Sequence, residues 1–189
     1  TDTSTQPTYG TVKDLFSVAQ LGVDPAFSQT TGYYNDSPLY VFSSHGEMSF
    51  TLEGDDVFPD NKAELLGMSI ANGILVDNVA DTPPYAAIGG IITRADGSTE
   101  YFWMPKVQFA KGAINVTTKG SSVSPQNDVM NGRIVATNYN GSWRTRIRSN
   151  DGAINATTFA NWFNQPVLTT GADLNALNVA FSAGTAGKI

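Results

Sequence analysis

The stretch TEYFWMPKVQF, residues 99–109, decides how the rest of the chain is read. Strand alternation would put Tyr101, Trp103, Pro105, Val107 and Phe109 on one face and Phe102, Met104, Lys106 and Gln108 on the other. Such a strand is bulky on both faces and needs cover from two sides. Pro105 has no amide to give a ladder, which places it at a strand edge or a bulge. Just upstream, Ala95-Asp96-Gly97-Ser98 reads as a hairpin turn in which glycine supplies the positive φ. It joins residues 88–94 to residues 99–109.

Working outward, RIVATNYNGSWRTRIR predicts a second hairpin, pairing residues 133–137 with 142–148 across Asn140-Gly141. On its return strand Trp143, Thr145 and Ile147 share one face, and Arg144, Arg146 and Arg148 the other. Upstream, LYVFSS and EMSFTLEG are strand candidates; Met48, Phe50 and Leu52 alternate with Ser49, Thr51 and Glu53. FPDNKAELLGM predicts a short helix over 61–66, capped by Asn61 with Glu64 reaching back, and stopped by Gly67. Two turns do not hold in water alone, so this helix must lie on a sheet. TTFANWFNQP places Phe159, Trp162 and Phe163 at helical spacing behind a Thr158 cap, with Pro166 as the stop.

The expected organisation is an N-terminal arm (1–13), one β domain (14–168) and a C-terminal strand or arm (169–189). Residues 111–131 read as a polar strand-and-loop excursion. GAINVTT at 112–118 and GAINATT at 152–158 are two similar turns or a coincidence, since a repeat architecture needs at least three copies.

Composition agrees with a β-rich chain of many turns: 189 residues, 15% charged, 18 glycines and 9 prolines. A globule of this length buries roughly 70% of its unfolded surface without staples. There is no cysteine, which excludes disulfides, thiol chemistry and cysteine zinc sites. No apolar run approaches the ~20 residues that span a bilayer, and no basic segment with an apolar stretch behind it marks a signal peptide. The first residue is Thr1, so removal of an initiator methionine or of something longer is expected. The net charge of -6 is unevenly spread: residues 1–90 hold 12 acidic and 2 basic side chains, and residues 91–189 hold 5 and 9. Such zoning is either an accident of a solvated surface or a particle with oppositely charged faces that attract copies of itself.

Catalytic and metal-binding constellations are missing. His45 is the single histidine, and Ser44 and Glu47 beside it in sequence do not make a triad. Asp55, Asp56 and Asp60 lack the order of a calcium loop and read as a solvated acidic loop. The glycines of AAIGGII have neither the lysine nor the helix of a phosphate loop. Four Asn-x-Ser/Thr triplets, at Asn35, Asn115, Asn140 and Asn155, carry meaning only in a chain secreted by a eukaryote. The Arg144, Arg146 and Arg148 stripe lacks stacking aromatics on its own face, so a salt-bridging contact surface is preferred over a phosphate grip.

Taken in order, KAELLGMSIANGILVDNVADTPPYAAIGGIITRADGSTEYFWMPKVQF, TTKGSSVSPQNDVMNGRIVA and NGSWRTRI resemble the major tail tube proteins of long-tailed, non-contractile phages of Gram-positive bacteria. The likeness rests on Leu65-Leu66-Gly67, Pro84-Tyr85-Ala86-Ala87, the Gly97 hairpin, Pro105-Lys106-Val107, Thr118-Lys119-Gly120, the Gly132 turn and Gly141-Ser142-Trp143. It spans about residues 60–148. The resemblance implies a mainly β fold, a β-sandwich with one flanking short α-helix and extended arms. It further implies six copies per ring, rings stacked into the tail tube of the virion, and strands of neighbours joined into an inner barrel. Implied partners are other copies of the chain, a tape-measure protein, a tail terminator and distal tail or baseplate proteins; DNA passes through the lumen without specific binding. No catalysis, cofactor, metal or membrane is implied.

On that reading Tyr101 and Trp103 belong to the sandwich core, Phe102 and Met104 meet the helix or a neighbouring subunit, and Pro105, Arg144, Arg146 and Arg148 join them at the subunit contact. Glu47, Glu53, Asp55 and Asp56 are expected to face the lumen, where carboxylates repel phosphates. The competing expectation is a monomeric β-sandwich module that binds carbohydrate or a cell-surface ligand through exposed aromatics.

Overall fold

The computed structural model describes residues 7–15, 17–55, 57–112, 127–152, 154 and 156–168. Among them, ten strands and two helices follow in chain order: β1 (Val18–Asp24), β2 (Phe27–Tyr34), β3 (Ser37–His45), β4 (Met48–Gly54), α1 (Pro59–Leu66), β5 (Ser69–Ala71), β6 (Ile74–Val76), β7 (Tyr85–Thr93), β8 (Thr99–Ala110), β9 (Asp128–Ile134), β10 (Thr145–Arg148) and α2 (Ala156–Ala160). The chain is mainly β with two short helices among the described residues, as expected for a sandwich with a short helix beside it. It divides into two compact units, one from Thr1–Asp14, Tyr85–Val107 and Val135–Ile189, the other from Leu15–Pro84 and Gln108–Ile134. The expected C-terminal strand and most of the 111–131 excursion lie outside the described residues.

In the first unit, the β7–β8 hairpin forms where the sequence placed it. Arg94 and Ser98 close the turn backbone to backbone, Gly97 sits at φ 80, and the Asp96 carboxylate accepts the Ser98 amide. The bulk of β8 on both faces is accommodated by two glycines in β7. A Cβ at Gly89 would lie 2.8 Å from the Trp103 ring, and one at Gly90 would lie 2.7 Å from the Phe102 ring. The two rings therefore lie over bare backbone. Trp103 is buried with Trp162 and Val167, flanked by Ala87, Tyr101, Ile147 and Phe163, and its indole donates to the Trp162 carbonyl at 2.9 Å. Pro105 falls between residues 100–103, which pair with β10, and the Lys106 carbonyl, which takes the Val135 amide at 2.9 Å. Its own carbonyl accepts the Tyr9 hydroxyl at 3.1 Å, so part of the N-terminal arm is tied to β8.

The second unit is built on β4. It pairs antiparallel with β1 (Leu21 opposite Leu52, Val23 opposite Phe50) and with β9 (Leu52 opposite Met130, Phe50 opposite Gly132). Phe50, Leu52, Met130 and Ile134 are buried on one face of these strands. Phe109 meets Phe50 edge to face at 5.2 Å, a favoured quadrupole geometry. Gly132 is fixed by close approach: a Cβ there would sit 2.5 Å from both the Gln108 carbonyl and the Phe50 ring.

Three local expectations are corrected. Helix α1 starts at Pro59 with Phe58 at its cap and no side-chain cap, because a proline ring is preset for the first helical turn; Asn61 instead donates to the Leu15 carbonyl. The stop at Gly67 is as expected, left-handed at φ 67. Helix α2 ends at Ala160, with Thr158 buried inside it rather than capping it. Around Asn140-Gly141 the turn closes locally, with Thr137 and Gly141 bonded at 2.9 Å, but Thr145–Arg148 does not return to residues 133–137. Arg133 and Ile134 already lie opposite Ser49 and Met48 of β4, and β10 pairs with β8 instead.

Candidate assembly surface

Strands β2 and β3 form a two-stranded antiparallel ribbon with no third strand in its sheet among the described residues. Ser28 faces Ser44, Thr30 faces Phe42 and Gly32 faces Tyr40 on one side; Gln29 faces Ser43 and Thr31 faces Val41 on the other. A register shift after Gly32 twists the end of the ribbon, which closes at Asn35 and Asp36, both left-handed at φ 50 and 59. Two successive residues of that kind make the tight turn that suits a twisted hairpin. Phe27, Tyr33, Tyr34, Leu39, Tyr40, Val41 and Phe42 are each at least half exposed. An isolated hairpin is marginal in water, and one with aromatic and aliphatic groups on both faces and two open edges offers itself for pairing. The small β5–β6 hairpin repeats the theme, with Ile70, Ile74 and Val76 exposed.

The residues expected at the subunit contact divide into two sets. Phe102 and Met104 are 5% and 0% exposed and Pro105 is buried, so their assignment to a subunit contact is corrected: the chain covers both faces of this part of β8 itself. The arginines remain at the surface. Arg144 stacks on its neighbour Trp143 at 4.5 Å. Arg146 and Arg148 turn to Glu100, a carboxylate that the sequence reading passed over. Glu100 is buried and accepts from Arg94 Nε at 3.0 Å, from Arg146 Nη1 at 3.3 Å and from Arg148 Nε at 3.3 Å. Burial pushes the Glu100 carboxyl upward; the Arg94 and Arg148 hydrogen bonds and the Arg94 and Arg146 charges outweigh it, holding the group below the usual glutamate range. The register of β10 on β8, with Arg148 opposite Glu100 and Arg146 opposite Phe102, creates the cluster. A cavity of about 520 Å³ opens beside it, lined by Glu100, Arg146, Ile147, Arg148, Asn150, Asp151 and Ile154.

The described acidic residues are spread over β4 and the positions flanking it rather than gathered in a site. Glu53 stands on the polar face of β4 with Ser49 and Thr51 and accepts the Asn127 amide at 2.9 Å, while Glu47 lies just before the strand and pairs with Arg133. Asp55 lies just past the strand and is exposed; Asp56 lies outside the described residues. His45 stands against Phe27 at a ring distance of 5.1 Å, and Ser44 is bonded to Ser28, so the three neighbours of SSHGE form no triad. Among the described residues no group of three or more His, Asp or Glu is placed to hold a metal, and no helix is long and apolar enough to cross a membrane.

The ribbon was only partly visible in sequence. LYVFSS marked β3, but β2 is masked by Ser, Gln and Thr between its aromatics, and its partner became evident only through the Asn35-Asp36 turn. No protein-family model matches the chain, and no curated protein matches it.

Proposed function

We propose that this chain is a non-catalytic structural subunit of a phage tail tube, polymerising as stacked six-membered rings into the conduit through which a long-tailed virion delivers its genome. The observation that carries the reading is the β2–β3 ribbon: among the described residues neither of its edges pairs with a further strand, and seven of its large apolar side chains are at least half exposed, on a chain that buries its other aromatic strand well. A chain made to act alone does not keep such an element in water; a chain made to polymerise uses it as the joint. The ordered likeness over residues 60–148 supports a tail tube as the kind of polymer. In the assembled virion the tape-measure protein occupies the lumen first, and a terminator and distal tail proteins close the ends. Glu53 on β4, with Glu47 and Asp55 at its ends, then supplies carboxylates that let DNA slide.

The test is imaging and sedimentation of the concentrated full chain beside a Tyr40→Asp, Phe42→Asp variant. Both positions are exposed, so the loss of their ring contact and of strand propensity should cost folding no more than about 1 kcal/mol per site. Hollow rods from the parent and dispersed, folded subunits from the variant are expected. Dispersed subunits from both, even with tail partners added, would overturn the reading and favour the carbohydrate-binding module.

A further inference from the structure

The ribbon's tip and the arginine cluster are complementary, and the geometry points to a contact between copies: the Asp36 turn of one chain seats in the cavity beside Arg146 and Arg148 of the next. This rests on the reading of the chain as self-assembling and names the joint. Between Phe27 and His45 the only formally charged residue is Asp36, and it stands at the far end of the ribbon. Eight residues of strand carry that carboxylate about 26 Å from the ribbon's base. The receiving side holds three guanidinium groups against a single buried carboxylate, with Arg146 and Arg148 side chains 49% and 48% exposed. Each guanidinium has five N–H donors in a planar fork, and the bonds to Glu100 leave donors on Arg146 and Arg148 to take a second carboxylate. Glu100 holds the forks in place, while Asn150 offers an amide and Ile147 and Ile154 an apolar wall for Tyr34. Asp151 on the rim tempers the positive charge, which disfavours a polyanion with its closely spaced phosphates and suits one carboxylate.

Because the chain has no cysteine, the contact can be trapped cleanly. Ser37→Cys and Asn150→Cys variants, both at exposed positions, are mixed under mild oxidation. The expected result is a dominant disulfide between unlike copies, lost when the Ser37→Cys chain also carries Asp36→Asn. Asparagine keeps the left-handed turn, so this substitution removes charge alone. Asp36→Asn by itself should weaken association roughly tenfold, and added salt should erase the difference. Only like-with-like disulfides, or Asp36→Asn crosslinking as well as its parent, overturns the contact. So does retention of a short DNA duplex in a gel shift that vanishes with Arg146→Gln, Arg148→Gln. Rods without the crosslink would sink this contact and leave the tube reading standing; the crosslink without rods would do the reverse.

Discussion

Glu100 is the residue on which the surface of β8 and β10 turns. An ordinary glutamate titrates near 4.5, and Glu100 is held below that in the fold. Its folded value being depressed, its contribution to stability is complete above the unfolded value and is lost as pH falls through the folded one. Asp128, held down by Lys62 and the Val57 amide against the pull of burial, acts in the same sense from an ordinary value of 3.8. Thermal melts should therefore be level from about pH 7 to about pH 5 and decline below that. Glu100→Gln should lower stability at neutral pH by roughly 1–3 kcal/mol and flatten the acid decline; a variant curve parallel to the parent at every pH would refute this role. At the same scale, Gly89→Val should cost about 1–3 kcal/mol, because the side chain would enter the space of the Trp103 ring. A calorimetric scan checks it, and an unchanged midpoint would show that the ring moves freely aside. The alternation of Arg144, Arg146 and Arg148 was legible from spacing; their partner was not, because a lone glutamate flanked by Thr99 and Tyr101 looks like any solvent-facing strand residue. The signal was there in register: Arg94 lies just across the hairpin turn from it.

At the level of elements, local chemistry told truth about turns and less about what they join. Asn72-Gly73, left-handed at φ 53 and 77, closes the small β5–β6 hairpin, which the sequence reading did not pick out. Asn140-Gly141 carries the same dipeptide and leads into β10, which pairs elsewhere. The difference is long-range: β9 was already committed to β4, and a turn signal says nothing about competing partners. Helix α1 is legible through Leu65, Leu66 and Gly67, but its start is set by Pro59 rather than by the capping chemistry of Asn61. For the β2–β3 ribbon, the physical expectation concerns protection. Among the described residues no third strand takes its outer amides, so hydrogen exchange should be fast there in isolated subunits and slow on assembly, while β4 and β8 stay protected throughout. Slow exchange of the ribbon in dilute subunits would mean that the chain itself covers it.

For the molecule as a whole, the fraction of charged residues and the abundance of glycine and proline were enough to indicate a β-rich chain. The interleaving of two units was not accessible from composition or period, since each unit is assembled from distant pieces and β8 contributes to both. Residues 99–109 demand a cover on both faces, and a neighbouring subunit is not its source for Phe102 and Met104, which are buried within the chain. The chain meets that demand internally, through Gly89 and Gly90, and spends its exposed apolar surface on the ribbon instead. That arrangement leaves a mark on ancestry. Any lineage in which position 89 or 90 acquired a side chain would have had to shrink the ring across from it, at 103 or 102, in the same evolutionary step or nearly so. Descendants of a common forebear should drift at these four sites in matched pairs, small beside large, long after the rest of the chain has lost visible kinship.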